Sequence, residues 1–217
     1  MIKKPLNAGF GRSGERYVVA SFEKKEDKTY VVRFANGASE VFSPEEFIKY
    51  DLYAVEEVNP HTYADLRREV DFGRCRAVAR KQAASSPKPS AAVARFVTRL
   101  GFSEETVNEV IAVLKEEGEL DDPKVALRLA AVKAADGKTS SEMIIMQLVS
   151  KGIDRETAEN TVRGLELSDG ETAVRIAEGR KRLGQDEAKV MRYLAGKGFS
   201  KRDIIEAVKK VYGNDAL

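Results

Sequence analysis

The chain has 217 residues, of which 42% are hydrophobic and 33% are charged. This composition is typical of a globular protein with one large domain or two small ones, and it excludes a disordered chain. Lysine and arginine number 37 against 35 aspartate and glutamate residues, a net charge of +2, so local patches rather than the whole surface must bind any polyanionic or acidic partner.

The sequence also limits where the protein works. Its single cysteine, Cys75, excludes an internal disulfide framework and a metal site built from several thiolates. No apolar signal-peptide segment follows the lysines at positions 3 and 4, and no run of about 18 apolar residues occurs in the chain. We therefore expect a cytoplasmic protein that does not enter a membrane.

The first 58 residues indicate a small β-rich region. Residues 17–22 and 30–35 are rich in β-branched and aromatic side chains, which favour strands. The Asn36-Gly37 pair that follows is typical of a two-residue type I′ hairpin turn. A turn at these two residues predicts that Arg33 lies opposite Glu40 on the neighbouring strand.

A short helix is predicted directly after this hairpin. Ser43 is a suitable N-cap, Pro44 suits the first helical position, and Glu46 completes the spacing of a capping box. The β-rich region therefore ends in a helical turn that can cover part of the sheet.

The rest of the chain has helical periodicity, and it repeats itself. Three nine-residue segments align without gaps, at residues 95–103, 146–154 and 192–200. The seventh position of each segment is a glycine: Gly101, Gly152 and Gly198. Glycine adopts the left-handed conformation without steric cost, so each of these residues is predicted to end a helix.

The two residues after each glycine complete a unit that we call the hook. The first is apolar: Phe102, Ile153 or Phe199. It is predicted to pack against both the helix that ends and the helix that begins. The second is a helix N-cap: Ser103, Asp154 or Ser200. The sequence therefore predicts a helix, a sharp turn and another helix, three times over.

A further helix is predicted before each hook. In the middle repeat Asp122 is predicted to be its N-cap and Pro123 its first residue, and in the last repeat it begins near Asp169. We therefore predict a mainly α protein, in which three tandem three-helix repeats form an elongated, curved array behind the β-rich region. The predicted segments are 1–58, 59–120, 121–168 and 169–217.

The sequence contains no recognisable catalytic site. The single histidine, His61, has no nucleophile or second histidine near it, so a surface position is the simpler interpretation. Cys75 is interpreted as a half-buried helical residue.

The glycine-rich segment 9–14 precedes a strand, whereas a nucleotide-binding loop joins a strand to a helix, so it is interpreted as a flexible arm. Helix capping explains Asp121 and Asp122 without a metal. We predict no enzyme activity, no cofactor and no metal.

Binding of DNA by the chain alone is an open alternative, because helix–turn–helix geometry is common in DNA-binding proteins. The second helix of such a motif needs cationic donors near its start. Glu104 and Glu105 occupy this position in the first repeat and would repel phosphate, whereas Lys201 and Arg202 in the third repeat suit it. Residues 169–217 are also the most basic segment, with 11 basic and 8 acidic residues.

Two motifs resemble the bacterial RecX regulatory proteins. They are Arg-x-Leu-x-x-Lys-Gly-Phe-Ser-x-x-x-Ile at residues 192–204 and Gly-Glu-Leu-Asp-Asp at residues 118–122. The resemblance covers about residues 60–213, and the hairpin region resembles the N-terminal extension that some members carry. The threefold recurrence of the motif makes the resemblance specific. The chain departs from the family pattern at residues 85–90, where Ser-Ser-Pro-Lys-Pro-Ser interrupts the first repeat.

The resemblance implies a modulator of the RecA recombinase, acting in homologous recombination, DNA repair and the SOS response. RecX-like proteins lie in the groove of the RecA–DNA filament, bridge its protomers, and typically inhibit strand exchange, filament growth and ATP hydrolysis. We expect a monomer whose basic residues meet acidic filament surface or the phosphates of single- or double-stranded DNA. The candidate partner-binding residues are Arg76, Arg80, Arg95, Arg99, Lys151, Arg192, Lys197, Lys201 and Arg202.

Overall fold

The computed structural model describes residues 17–213, so the glycine-rich segment 9–14 lies outside the described residues. The strands are β1 (Tyr17–Lys24), β2 (Tyr30–Phe34), β3 (Ser39–Phe42) and β4 (Glu57–Val58). The helices are α1 (Pro44–Lys49), α2 (Pro60–Ser85), α3 (Ser90–Arg99), α4 (Glu104–Glu116), α5 (Asp122–Asp136), α6 (Ser141–Lys151), α7 (Arg155–Arg163), α8 (Asp169–Arg182), α9 (Glu187–Gly196) and α10 (Lys201–Tyr212). The predicted fold class, mainly helical with a small sheet near its start, is confirmed.

The chain forms two compact units. The first contains the sheet, α1, α2, most of α3, and α4, and the second contains α5 to α10 together with residues 86–92, which lead into α3. None of the helices within residues 17–213 is long and apolar enough to cross a lipid bilayer. The segment boundaries at 58, 120 and 168 and the elongated, curved array stay predictions.

The sheet has the strand order β3-β2-β1-β4, and neighbouring strands are antiparallel. The hairpin of β2 and β3 is confirmed, but its predicted register is wrong by one residue. Glu40 lies opposite Val32 and not opposite Arg33. Since side chains alternate between the two faces of a strand, this shift moves Glu40 to the other face of the sheet.

The length of the hairpin loop explains the shift. The N–H of Phe34 donates to the carbonyl of Ala38 at 2.8 Å, and the N–H of Gly37 donates to the carbonyl of Phe34 at 2.9 Å. The loop therefore has three residues, and Gly37, but not Asn36, has a positive φ. This is a turn closed by a glycine bulge, and an Asn-Gly pair fits it as well as a type I′ turn.

The observed register places a carboxylate in the core of the first unit. Glu40 is 7% exposed and lies among buried neighbours that include Val32 and Phe42. The hydroxyl of Tyr63 donates to Glu40 Oε1 at 3.4 Å. Burial raises the pKa of Glu40, and the nearby charge of Arg67 partly opposes this shift.

The helix after the hairpin starts as predicted. The hydroxyl of Ser43 accepts from the N–H of Glu46 at 3.2 Å, and the Glu46 carboxylate accepts from the N–H of Ser43 at 2.7 Å, so the capping box is confirmed. Phe47 is buried, and its ring stacks on that of Tyr30 with the centroids 4.0 Å apart. The short helix is therefore anchored on the sheet by its capping box and one aromatic residue.

The three hooks are present as predicted. Gly101, Gly152 and Gly198 have φ values of 96°, 99° and 84°, all in the left-handed region. Ser103, Asp154 and Ser200 each accept a hydrogen bond from the backbone N–H three residues later and so cap α4, α7 and α10. Each repeat therefore reverses its chain direction through the same backbone geometry.

The apolar residue of each hook is buried, with 2% to 5% of Phe102, Ile153 and Phe199 exposed. In the second and third hooks its N–H reaches back to the ending helix. Ile153 donates to the carbonyl of Leu148 at 3.2 Å, and Phe199 donates to that of Leu194 at 3.3 Å. These are the bonds of a Schellman ending, and they satisfy carbonyls that the helix itself leaves unpaired.

One predicted cap is wrong by one residue. Asp121, and not Asp122, caps α5, because its carboxylate accepts from the N–H of Lys124 at 2.8 Å. The Asp122 side chain is buried and accepts instead from the N–H of Ser90 at 2.7 Å and from the Ser90 hydroxyl. A carboxylate in the first turn of one helix therefore satisfies the start of an earlier helix.

The same arrangement recurs further along the second unit, and we call this second instance the clasp. Asp169, the first residue of α8, accepts from the N–H of Ser141 at 2.9 Å and from its hydroxyl at 3.0 Å. Ser141 is the first residue of α6. The clasp thus joins the predicted second and third repeats through a hydrogen-bonded carboxylate, which is stronger than a pair of neutral groups.

Gly198 is required by a close approach as well as by its φ. A Cβ atom at this position would lie 2.7 Å from Ser140 Oγ and 3.0 Å from Met143 Cβ. The N–H of Ser140 donates to the carbonyl of Lys197 at 3.2 Å. The third hook therefore rests directly on the start of α6, with no room for a side chain.

We expect Gly198→Ala to lower the free energy of unfolding by about 2 kcal/mol or more, because a left-handed alanine costs roughly 1–2 kcal/mol and the new methyl group also meets Ser140 and Met143. Gly179→Ala is the matched control. Gly179 lies within α8, and a Cβ there meets nothing within 4 Å, so this change should stabilise by about 0.5–1 kcal/mol. Urea denaturation measures both, and equal stabilities would contradict the hook geometry.

Candidate partner-binding surface

The arginines of the basic helix α2 face acidic residues of the same unit. Arg76 forms an ion pair with Glu117, and Arg80 donates from Nε to Glu119 Oε2 at 2.7 Å while its Nη2 lies 3.3 Å from Glu117. Arg68 lies 3.1 Å from a carboxylate oxygen of Glu105 on α4. The hydrogen bond from Arg80 lowers the pKa of Glu119. The positive charge of α2 is therefore largely balanced within the chain.

These ion pairs are accessible to solvent. The Arg76 and Arg80 side chains are 33% and 48% exposed, and exposed pairs of this kind contribute only about 0–1 kcal/mol each. A partner with strong acidic groups can therefore replace Glu117 and Glu119 at little expense. The assignment of Arg76 and Arg80 to partner binding stays a prediction, now with identified internal competitors.

In the first repeat the structure brings Arg95 and Arg99 together. Both are exposed on α3, one turn apart, and the Nε of Arg99 donates to the carbonyl of Arg95 at 3.3 Å. Both line a cleft that also includes Glu104 and Val107 of α4. The first hook therefore has two cations at an opening between its helices.

In the second repeat the candidate cation is at the end of a helix. Lys151 is the exposed last residue of α6, directly before Gly152. A cation at this end of a helix is favoured by the helix dipole. Arg155, across the hook, lies 2.6 Å from Glu159 and 3.5 Å from Glu142. Its charge is thus balanced locally.

The third repeat has four candidate cations, as many as the first repeat. Arg192 is exposed on α9, and Lys201 and Arg202 are exposed in the first turn of α10. Arg202 lies 2.9 Å from Glu206 in the next turn. Lys197 is partly buried, with its ammonium group 5.4 Å from the centre of the Tyr193 ring. The four cations therefore lie on both sides of the third hook.

Two features of this surface were missed in the sequence analysis. Arg180 on α8 places its guanidinium 3.5 Å from the centre of the Tyr193 ring, a cation–π contact beside Lys197. Glu117 and Glu119 are the partners of the α2 arginines. No local pattern signals contacts between residues so far apart in sequence, although the acidic end of α4 opposite a basic helix was an available hint.

Cys75 and His61, the residues that were considered for catalysis, lie in surroundings that do not indicate a catalytic role. Cys75 is completely buried rather than half-buried, and burial, with a smaller effect of Asp71, raises the pKa of its thiol to about 11. The thiolate is thus disfavoured at neutral pH. His61 is exposed. Within residues 17–213, no three His, Cys, Asp or Glu side chains are grouped so that they could hold a metal ion.

The chain was compared with known proteins in sequence and in structure. No protein-family model matches the chain. The regulatory protein RecX from several strains of Streptococcus pneumoniae is 21% identical over 192 residues, which span 85% of this chain and 73% of the relative. The crystal structure of RecX from Lactobacillus salivarius has a TM-score of 0.58 and 21% identity, covering 66% of this chain and 98% of that one. A second crystal structure, of regulatory protein RecX, has a TM-score of 0.65 and 17% identity, covering 89% and 99%.

The fold shared with these structures is mainly helical, with a small antiparallel sheet near the start of the chain. In sequence and in fold, the chain is similar to the RecX regulatory proteins.

If Glu117 and Glu119 mask Arg76 and Arg80, then Glu117→Gln/Glu119→Gln should bind a polyanion more strongly than an equal change of charge elsewhere. We expect the double variant to elute from a heparin column at higher salt than the control Glu45→Gln/Glu56→Gln, whose two exposed residues are in the sheet region of the same unit. The stability of each variant should change by less than about 1 kcal/mol. Elution of the two double variants at the same salt concentration would show that Glu117 and Glu119 do not shield Arg76 and Arg80 from a polyanion.

Proposed function

We propose that this protein binds the RecA filament on DNA and inhibits its strand exchange, growth and ATP hydrolysis. The observation that carries the proposal is the threefold hook, which has one or more cations beside it in each repeat, in a chain whose sequence is similar to that of RecX proteins. The action needs no chemistry by the chain itself. It takes place in the cytoplasm, where such filaments form.

A repeated surface suits a repeated partner. A RecA filament presents the same protomer surface again and again along its axis, and the three repeats, at residues 59–120, 121–168 and 169–217, present cations near equivalent positions. Arg99 lies two residues before the first hook glycine, while Lys151 and Lys197 lie one residue before the second and third. Contacts that are individually weak then add, because after the first contact the others form within one complex.

Inhibition follows from bridging. ATP turnover in a filament requires movement between neighbouring protomers, and a chain that contacts two protomers at once favours the arrangement in which both contacts are made. The ligand shifts the equilibrium only by its difference in affinity for the two arrangements. The bridged state is therefore slow to hydrolyse ATP and slow to add protomers.

Direct binding to DNA is the second candidate function. The observation that favours it is the position of Lys201 and Arg202, both exposed at the start of α10. Asp203 and Glu206 lie beside them, and Arg202 is paired with Glu206. This mixed charge weakens attraction to phosphate, so we place DNA binding second.

The test is the ATPase activity of RecA on single-stranded DNA. We expect the wild-type chain to lower the rate, and Arg192→Glu/Lys201→Glu to need about tenfold more protein for the same effect, since each exposed charge reversal removes roughly 0.5–1 kcal/mol of attraction. Lys124→Glu/Arg128→Glu, which reverses two exposed cations of α5 outside the candidate set, should act like the wild type.

No change in the ATPase rate at several-fold excess of wild-type chain over filament sites would overturn the proposed function. A mobility-shift assay on DNA without RecA separates the alternatives. Strong, steeply salt-dependent binding to naked DNA with no effect on the ATPase would favour the second candidate.

A further inference from the structure

The first unit contains an open cleft between α3 and α4 with a volume of about 580 Å³. Its lining is Ala94, Arg95, Thr98, Arg99, Glu104, Val107 and Asn108. Binding pockets commonly have volumes of about 300–1,000 Å³, so this cleft is large enough for several side chains of a docked segment.

The sequence builds the cleft through helical spacing and the first hook. On α3, residues 94 and 98 and residues 95 and 99 are four apart and so lie along one side of the helix. Gly101 then reverses the chain, which brings the first turns of α4 opposite. Glu104 and Val107 of α4 are three residues apart and form the facing wall.

The interior of the cleft is apolar, and its edge is charged. Val107 is 2% exposed and Ala94 is partly buried, whereas Arg95, Arg99 and Glu104 are exposed. The cleft therefore has apolar side chains within and charged side chains at its edge. This is the usual composition of a surface that binds a short peptide, with an apolar pocket and a polar rim.

The charge at the rim selects an anionic partner. Two cations four residues apart on a helix repel each other by a few tenths of a kcal/mol, and Arg99 is held toward Arg95 by its bond to the Arg95 carbonyl, 3.3 Å away. Carboxylates of a bound segment would remove this repulsion. The acidic residue after Glu104, Glu105, is already paired with Arg68 at 3.1 Å.

A protein segment fits this rim better than nucleic acid does. A phosphate backbone is anionic throughout and would meet Glu104 on the facing wall, whereas a peptide can place an acidic side chain at the arginines and a backbone N–H at Glu104. The apolar interior, with Val107 and Ala94, also suits an aliphatic side chain rather than a phosphate.

We propose that the cleft between α3 and α4 binds an acidic, apolar segment of the filament partner, with its carboxylates on Arg95 and Arg99 and an apolar side chain against Ala94 and Val107. The inference rests on the proposed function and assigns one partner contact to the first repeat. It distinguishes this repeat from the others, because the cations that line this cleft, Arg95 and Arg99, both belong to the first repeat.

The experiment is co-sedimentation of the full chain with RecA filaments on single-stranded DNA. Arg95→Glu/Arg99→Glu should weaken binding at least tenfold. Thr98→Trp, which fills the cleft without changing its charge, should weaken it to a similar extent. Lys124→Glu/Arg128→Glu should bind within twofold of the wild type. Thermal unfolding of each variant checks that the fold is retained.

The outcomes separate the two proposals. Absence of wild-type binding would overturn the proposed function, and this inference with it. Normal wild-type binding that neither cleft variant weakens would overturn the cleft assignment alone. A loss confined to the charge reversal, matched by an equal loss of binding to naked single-stranded DNA, would show that the arginines bind phosphate and would also overturn it.

Discussion

The helical part of this protein depends on a left-handed glycine followed by a buried apolar residue. The glycine turns the chain sharply enough for the next residue to enter the core between two helices, and an N-cap then starts the second helix at once. A side chain at the glycine position would have to adopt a strained backbone conformation. In the third repeat it would also collide with the start of α6. The turn and the packing of the helices are thus specified together.

The hooks also determine where charge is presented. The residues before each glycine end one helix and those after each cap start the next. Cations at these places lie beside the turn and are exposed or partly buried, while the apolar residue is buried. In the first repeat the turn additionally opens a cleft between the two helices. One local geometry therefore supplies three related but unequal surfaces, as the proposed binding to a repeated assembly requires.

Local features were predictable because their causes lie within a few residues. The glycine of each hook, its N-cap, and the capping box at Ser43 and Glu46 depend on side chains three or four positions apart, and all are present. The hairpin was predictable as a hairpin, but its register was not. Asn36-Gly37 fits a two-residue turn and a three-residue loop alike, and only the second leaves Glu40 opposite Val32.

Contacts between distant segments were beyond local reasoning. The carboxylates of Asp122 and Asp169 looked like helix starts, yet each accepts from a serine about thirty residues earlier. Arg76 and Arg80 of α2 were predicted to bind a partner, yet Glu117 and Glu119 of the same chain pair with them. In both cases the sequence shows which residues are charged, but their hydrogen-bond and ion-pair partners depend on how the helices pack. The sequence therefore identifies the candidate cations, but it does not show which of them are already paired with acidic residues of the same chain.

The central claim is that the apolar residue of each hook is buried between two helices, and that in the second and third hooks its own backbone bond holds it there. Hydrogen exchange at the Ile153 and Phe199 amides tests it directly, since both are buried and donate to carbonyls five residues back. The account predicts that these two amides exchange as slowly as the buried residues of α6 and α9, by unfolding of the repeat. Exchange at the rate of an exposed loop would contradict it.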